Sequence, residues 1–222
     1  MKPVPPEPPL GPWRPFPLGK ILEAAECGRR SRPGRTRTAI AVDGRSASGK
    51  TTLAARLAAD CGPRTALVHT DDLAWHEPLF GWAHLLRKGI LDPFRAGEAI
   101  SFAPPQWGRR GREGAIEIPA DVELLVIEGV GSGDRSCADL LDLLCWVQSD
   151  AQEARTRGIA RDLASGVDGD EQETIAFWDE WGAAEAAHLA ADRPWERADL
   201  VICGTPPEPA PDGMVLAADR AP

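Results

Sequence analysis

Short apolar runs recur along the chain, and stretches with helical spacing separate them. Thr38–Val42, Thr65–His69, Val122–Ile127, Leu143–Val147 and Leu200–Cys203 are each four to six residues long and predict strands. Leu18–Gly28, Thr52–Ala58, Leu79–Lys88, Ala151–Ala164 and Glu171–Ala191 predict helices, with a turn over 165–170. Strands that are apolar throughout, alternating with helices, point to a parallel sheet buried on both faces. The expected class is therefore α/β, a three-layer arrangement with about five parallel strands and helices on both faces. Gly89–Ala120 follows neither period; it is rich in Pro, Gly and Arg and reads as irregular. Residues 1–17 carry eight prolines, which excludes a regular helix or a central strand there. They read as a tail on the surface or disordered. The Pro-rich stretch 205–211 reads as peripheral, and no internal repeat is present. The expected organisation is a tail over 1–17, one domain over 18–206 and a second tail over 207–222.

The first apolar run leads directly into Gly44-Arg45-Ser46-Ala47-Ser48-Gly49-Lys50-Thr51, which reads G-x-x-x-x-G-K-[ST]. Strand, glycine-rich turn and helix form the context that gives this pattern meaning as a phosphate-binding loop. Glycines let the backbone wrap a phosphate chain with N–H groups inward, and the helix N-terminus adds its positive dipole end. Lys50 can reach the β- and γ-phosphates of a nucleoside triphosphate, ATP or GTP, and the Thr51 hydroxyl can ligate Mg²⁺. Thr52 opens the helix behind the loop. The chain has only four lysines, Lys2, Lys20, Lys50 and Lys88, so a chance match is improbable.

In open α/β sheets ligands gather beyond the carboxyl ends of the strands. The second strand ends at Asp71 and Asp72, the third at Glu128. Thr51, Asp71 and Glu128 are candidate Mg²⁺ ligands, directly or through water. Asp71 can also accept the proton of a substrate hydroxyl. Arg157 and Arg161 stand four apart on a predicted helix and share a face, where they can clamp transferring phosphates or pair with Glu153 and Asp162. The segment 72–120 is the candidate acceptor pocket. It offers Trp75, His76, Trp82 and Trp107 for stacking and Arg109 for polar edges. Arg193 and Arg197, flanking Pro194-Trp195, either touch nucleotide or order the loop before the last strand.

Composition narrows the class further. The 222 residues suit one domain, and a net charge of −9 without a long basic run argues against a nucleic-acid surface. No apolar stretch reaches membrane-spanning length, and no secretion signal is visible. Five scattered cysteines without a C-x-x-C pair read as reduced thiols in a cytoplasmic protein. With no Asn in the chain, the guanine-reading N-K-x-D signature of a GTPase switch is absent.

Five motifs in order carry a resemblance to a family: Ala41 through Thr52, Thr70-Asp71-Asp72-Leu73, Val126-Ile127-Glu128-Gly129-Val130, Asp150 with Arg157 and Arg161-Asp162, and Ala198-Asp199-Leu200-Val201-Ile202. Together they resemble the uridine kinase and phosphoribulokinase family of P-loop small-molecule kinases, over about residues 36–206, and especially the uridine-kinase-like proteins of high-GC actinobacteria. The resemblance implies a phosphotransferase that uses ATP or GTP with Mg²⁺ and a hydroxyl acceptor. It implies catalytic roles for Lys50 and Asp71, metal ligation by Thr51 and Glu128, and a lid region over 151–170 with Arg157 and Arg161. Small kinases of this type are commonly homodimers. The chain departs from uridine kinases in having no Tyr and in reading Gly166-Val167-Asp168 where they carry Gly-Arg-Asp. These departures turn the expected acceptor toward a nucleoside-like compound, such as a nucleoside antibiotic or its precursor. A regulatory nucleotide-dependent ATPase and a kinase of a pantothenate-like alcohol are the alternatives.

Overall fold

The computed structural model describes Glu7, residues 11–167 and residues 169–218. Asp168 and most of the first ten residues lie outside the described residues, and so does the chain beyond 218. In chain order, β1 (Arg14–Pro17) and α1 (Leu18–Arg30) are followed by β2 (Thr38–Gly44) and α2 (Lys50–Asp60). Next come β3 (Thr65–His69), α3 (Thr70–Ala74), α4 (Ala83–Leu85) and α5 (Asp92–Ala96), with a π-helical turn at Leu86–Leu91. A two-stranded hairpin, β4 (Ile100–Phe102) and β5 (Ile116–Ile118), encloses α6 (Pro105–Arg109). The chain continues through β6 (Leu124–Glu128), β7 (Leu143–Gln148), α7 (Ala151–Ser165), α8 (Glu171–Asp192), β8 (Leu200–Cys203) and β9 (Met214–Ala218).

The main sheet has seven strands in the order β1-β9-β8-β7-β2-β6-β3. The five strands β8, β7, β2, β6 and β3 are parallel, as the sequence pattern implied. The two extra strands come from segments expected to be tails. β9 pairs antiparallel with β8, and β1 pairs antiparallel with β9 at the sheet edge. Proline excludes a central strand, and β1 respects that: it pairs on one side only, where a missing N–H costs nothing. The expected helix over Leu79–Lys88 starts later, because Pro78 and Gly81 close a turn through Gly81 N–H to Pro78 O. Within the segment expected to be irregular, the hairpin and α6 are ordered elements.

The side-chain period of two divides the core between the sheet's faces. Ala39 and Ala41 of β2 join Leu125, Ile127, Trp146 and Phe94 on one face. Ile40 and Val42 join Val126, Cys145, Leu53 and Leu57 on the other, beneath α1 and α2. In register, Val42, Glu128 and His69 lie side by side at the carboxyl edge of β2, β6 and β3.

Candidate active site

The loop between β2 and α2 is shaped by its glycines. Gly44 has φ +154, and a Cβ there would lie 2.6 Å from the Val147 carbonyl oxygen. Gly49, at φ 104, turns the chain into α2. Lys50 is 6% exposed, and its Nζ donates to Arg45 O at 2.7 Å. Ser48 is fully buried, and its Oγ has no hydrogen-bond partner among the described residues. A glycine-cut loop with an ammonium folded over it and a spare hydroxyl inside fits a phosphate chain.

Thr51 Oγ1 donates to Glu128 Oε1 at 3.2 Å. The same Oε1 meets His69 Nδ1 at 2.6 Å, so an imidazole on the neighbouring strand orients Glu128. Asp71 opens α3 directly after β3. Asp71 is exposed as a residue, yet surrounding protein crowds its carboxyl. Desolvation therefore holds its pKa above the ordinary carboxylate value; Glu128 pushes it the same way, and Lys50, His69 and Arg161 oppose. Thr51, Asp71 and Glu128 are all hard oxygen donors, the set Mg²⁺ takes. A second group, Asp134, His188 and Asp192, brings ligand atoms within 4.8 Å of one another. There, Asp192 is already matched by Arg197 and Arg135.

Asp43, fully buried, accepts from Gly44 N, Gly131 N and Gly133 N, and so ties the P-loop to the loop after β6. Burial raises its pKa against the pull of those three N–H groups. Gly129, at φ +137, has no room for a side chain, because a Cβ would fall 1.7 Å from Thr70 Oγ1. That close approach sets the end of β6 against the start of α3.

Arg157, on α7, donates from Nε to Ala47 O of the P-loop at 3.0 Å. Arg161 pairs with Asp162 at 2.7 Å. Asp162 also accepts from Trp178 Nε1 of α8 at 2.8 Å. Gly158 lets α7 lie close, since a Cβ there would come 2.1 Å from the Trp178 ring. A cavity of about 640 Å³ borders Gly49, Thr52, Arg157 and Arg161. Its far wall is built from Pro206, Pro209, Ala210, Val215 and Leu216, so the segment expected to be peripheral shapes the site. Arg197 bonds Asp192 and Gly133 O and so ties the loop before β8 to the loop after β6.

The candidate acceptor residues divide. Asp72 and Trp75 are half-buried beside Asp71, and His76 is exposed at φ 57 against the Trp75 ring. Trp82 and Trp107, expected to stack on a ligand, are 3% and 4% exposed and belong to the interior. Trp107 Nε1 donates to Asp72 O at 2.9 Å. Arg109 is exposed at the end of α6. The arginine that meets this cluster is Arg112, ion-paired to Asp72 and 3.6 Å from the Trp107 ring centroid. Further accessible rings stand near the P-loop, where Trp181 Nε1 donates to Ser46 Oγ at 2.7 Å. Phe80 stacks on His188 at 4.4 Å and meets Trp181 at 5.2 Å, and Phe177, 44% exposed, continues the row.

With this geometry in view, the similarities are informative. A uridine kinase from Halobacterium salinarum is 28% identical over 142 residues. The chain resembles the uridine-kinase-like P-loop kinases. The aligned region is 56% of this chain, and the chain spans 62% of that relative's length. D-glycerate 3-kinase from Cryptococcus neoformans superposes with a TM-score of 0.56 at 12% identity, covering 84% of this chain and 93% of its own. A protein from Silicibacter sp. TM1040 assigned as the kinase of a fructose transport system gives 0.52 at 22% identity, covering 80% and 98%. At such identities the structural likeness speaks for the fold alone. No family model matches the chain.

Proposed function

We propose that this chain is a P-loop small-molecule kinase that moves the γ-phosphate of ATP or GTP to a hydroxyl of a nucleoside-like acceptor. The observation that carries the reading is the meeting of Thr51 with Glu128 at 3.2 Å beside Asp71, at the mouth of a glycine-cut loop bearing Lys50. Thr51, Glu128 and Asp71 would hold Mg²⁺, which screens charge between the phosphates when bound. Asp71 takes the proton of the acceptor hydroxyl while that oxygen bonds the γ-phosphorus and the bond to the β–γ bridging oxygen breaks, releasing ADP or GDP. A raised pKa suits this role, because a base poised nearer neutrality accepts the proton more readily. Lys50 offsets charge on the transferring group, aided by Arg157 and Arg161 from the lid.

The half-exposed row Phe80, Phe177 and Trp181 supports an acceptor with a planar ring. Burial of Trp82 and Trp107 favours a second reading, a non-aromatic alcohol such as a pantothenate-like acceptor. The deciding experiment incubates the protein with Mg-ATP or Mg-GTP and a panel of nucleosides, nucleoside antibiotics and small alcohols, with acceptor mass read by mass spectrometry. A gain of one phosphoryl group on a nucleoside-like compound is expected. Nucleotide hydrolysis without any acceptor gain would instead mark a regulatory ATPase. A cytoplasmic homodimer remains part of the proposal, and sedimentation at micromolar concentration tests the dimer.

A further inference from the structure

Three consecutive P-loop residues are held by one helical hairpin. Ala47 O accepts from Arg157 Nε of α7 at 3.0 Å. Ser46 is gripped twice by α8: its N–H donates to Glu185 Oε1 at 2.7 Å, and its Oγ accepts from Trp181 Nε1 at 2.7 Å. Arg45 lies between two carboxylates, with Nε 2.9 Å from Glu7 Oε1 and Nη1 3.5 Å from Glu185 Oε2. Arg45 is 7% exposed and Glu185 6%, so these contacts are shielded from water.

A carboxylate buried on α8 needs a reason, because burying a charge is costly unless it is paired and hydrogen-bonded. Glu185 is matched by one P-loop N–H and one P-loop guanidinium at once. Nothing in the apolar pattern of α8 requires an acid at that position, whose neighbours in the chain are alanines. The loop itself supplies the other half of the argument. Ala47 sits at φ 56, a left-handed conformation that a non-glycine residue adopts at a cost and keeps only when its surroundings impose it. Holding such a loop in its ligand-ready shape removes an ordering cost from binding.

We propose that Glu185 is a positioning residue of the P-loop: with Trp181 and Arg157 it clamps Arg45, Ser46 and Ala47, so that the α7–α8 hairpin sets the shape of the phosphate site. The proposal rests on the reading of this loop as a nucleotide site. It is distinct from contact with nucleotide, since Glu185 acts through the loop backbone.

The test compares wild type, Glu185→Ala, Glu185→Gln and Trp181→Phe by two readouts. One is amide hydrogen exchange of residues 44–51 in the nucleotide-free protein; the other is MgATP affinity by calorimetry. Glu185→Ala is expected to exchange faster across the loop and to bind MgATP about 10-fold more weakly. Glu185→Gln keeps an acceptor for Ser46 N–H and is expected within about 3-fold of wild type. A Glu185→Ala protein that exchanges and binds like wild type would overturn the clamp, as would a Gln variant as impaired as the Ala one. Should Glu185→Ala fail to fold, Trp181→Phe decides: it keeps an aromatic side chain, though a smaller one, and removes the indole N–H that bonds Ser46 Oγ, and unchanged loop exchange would sink the proposal. If wild type binds neither MgATP nor MgGTP, the nucleotide reading falls, while the exchange data still judge the clamp.

Discussion

In the proposed reaction Lys50 and Asp71 act on the transferring group in opposite roles, and their substitutions separate those roles. Lys50→Ala removes the charge at the γ-phosphate, and phosphoryl transfer is expected to vanish in a coupled assay. Asp71→Asn is expected to lower kcat by about 10²–10⁴ while leaving MgATP affinity nearly intact, since its loss acts in the transition state. The pH profile carries a sign. The carboxylate is the active form, so kcat/KM falls as pH drops through the Asp71 pKa. Because desolvation and Glu128 raise that pKa, the fall begins at a higher pH than an unperturbed aspartate would give. A profile that stays flat down to the ordinary carboxylate range would remove Asp71 from that role. Their positions at the strand ends were legible in the sequence because each sits in, or directly after, a strand-end motif. His69, Trp181 and Glu185 were not. Ser46 and Glu185 are 139 positions apart, and only the path of α8 past the loop brings them together.

Among the elements, the β4–β5 hairpin with α6 behaves differently from its composition. Its Pro, Gly and Arg content suggested an irregular segment and its Trp107 a ligand contact, but Trp107 fills the interior and Arg112 covers its ring. Trp107→Ala is therefore expected to cost about 3–5 kcal/mol of stability in denaturant melts, with little change in the MgATP KM. A purely acceptor-side effect at unchanged stability would return Trp107 to the ligand. The long helices were readable from their helical spacing, and the structure adds a local device that spacing does not show: Asp150 and Asp170 cap α7 and α8 through side-chain bonds to first-turn N–H groups. Trp burial is not local. Whether a ring faces a ligand or the core depends on what packs over it, here Arg112 and Asp72.

At the scale of the molecule, the five parallel strands and the carboxyl-edge site follow from the apolar pattern, whereas both edge additions escaped it. β9 is a short apolar run after a Pro-rich loop, and its partner is a proline-containing strand from the other end of the described chain. Removing residues 207–222 would delete β9, strip β8 and β1 of a neighbour, and open the wall formed by Pro209, Ala210, Val215 and Leu216. The expected outcome is a loss of several kcal/mol in stability together with a weaker MgATP affinity, read by melting and calorimetry. A truncated protein with unchanged melting and affinity would return the segment to the periphery. The sheet also divides the thiols. Cys137, Cys145 and Cys203 are buried, whereas Cys27 is exposed on α1 and Cys61 is partly exposed where α2 ends, at the edge opposite the P-loop. Desolvation, Asp60 and Glu26 raise the Cys61 pKa and slow its reaction. A maleimide-coated surface would therefore capture the native protein chiefly through Cys27, tethering molecules in one orientation with their clefts facing the solution.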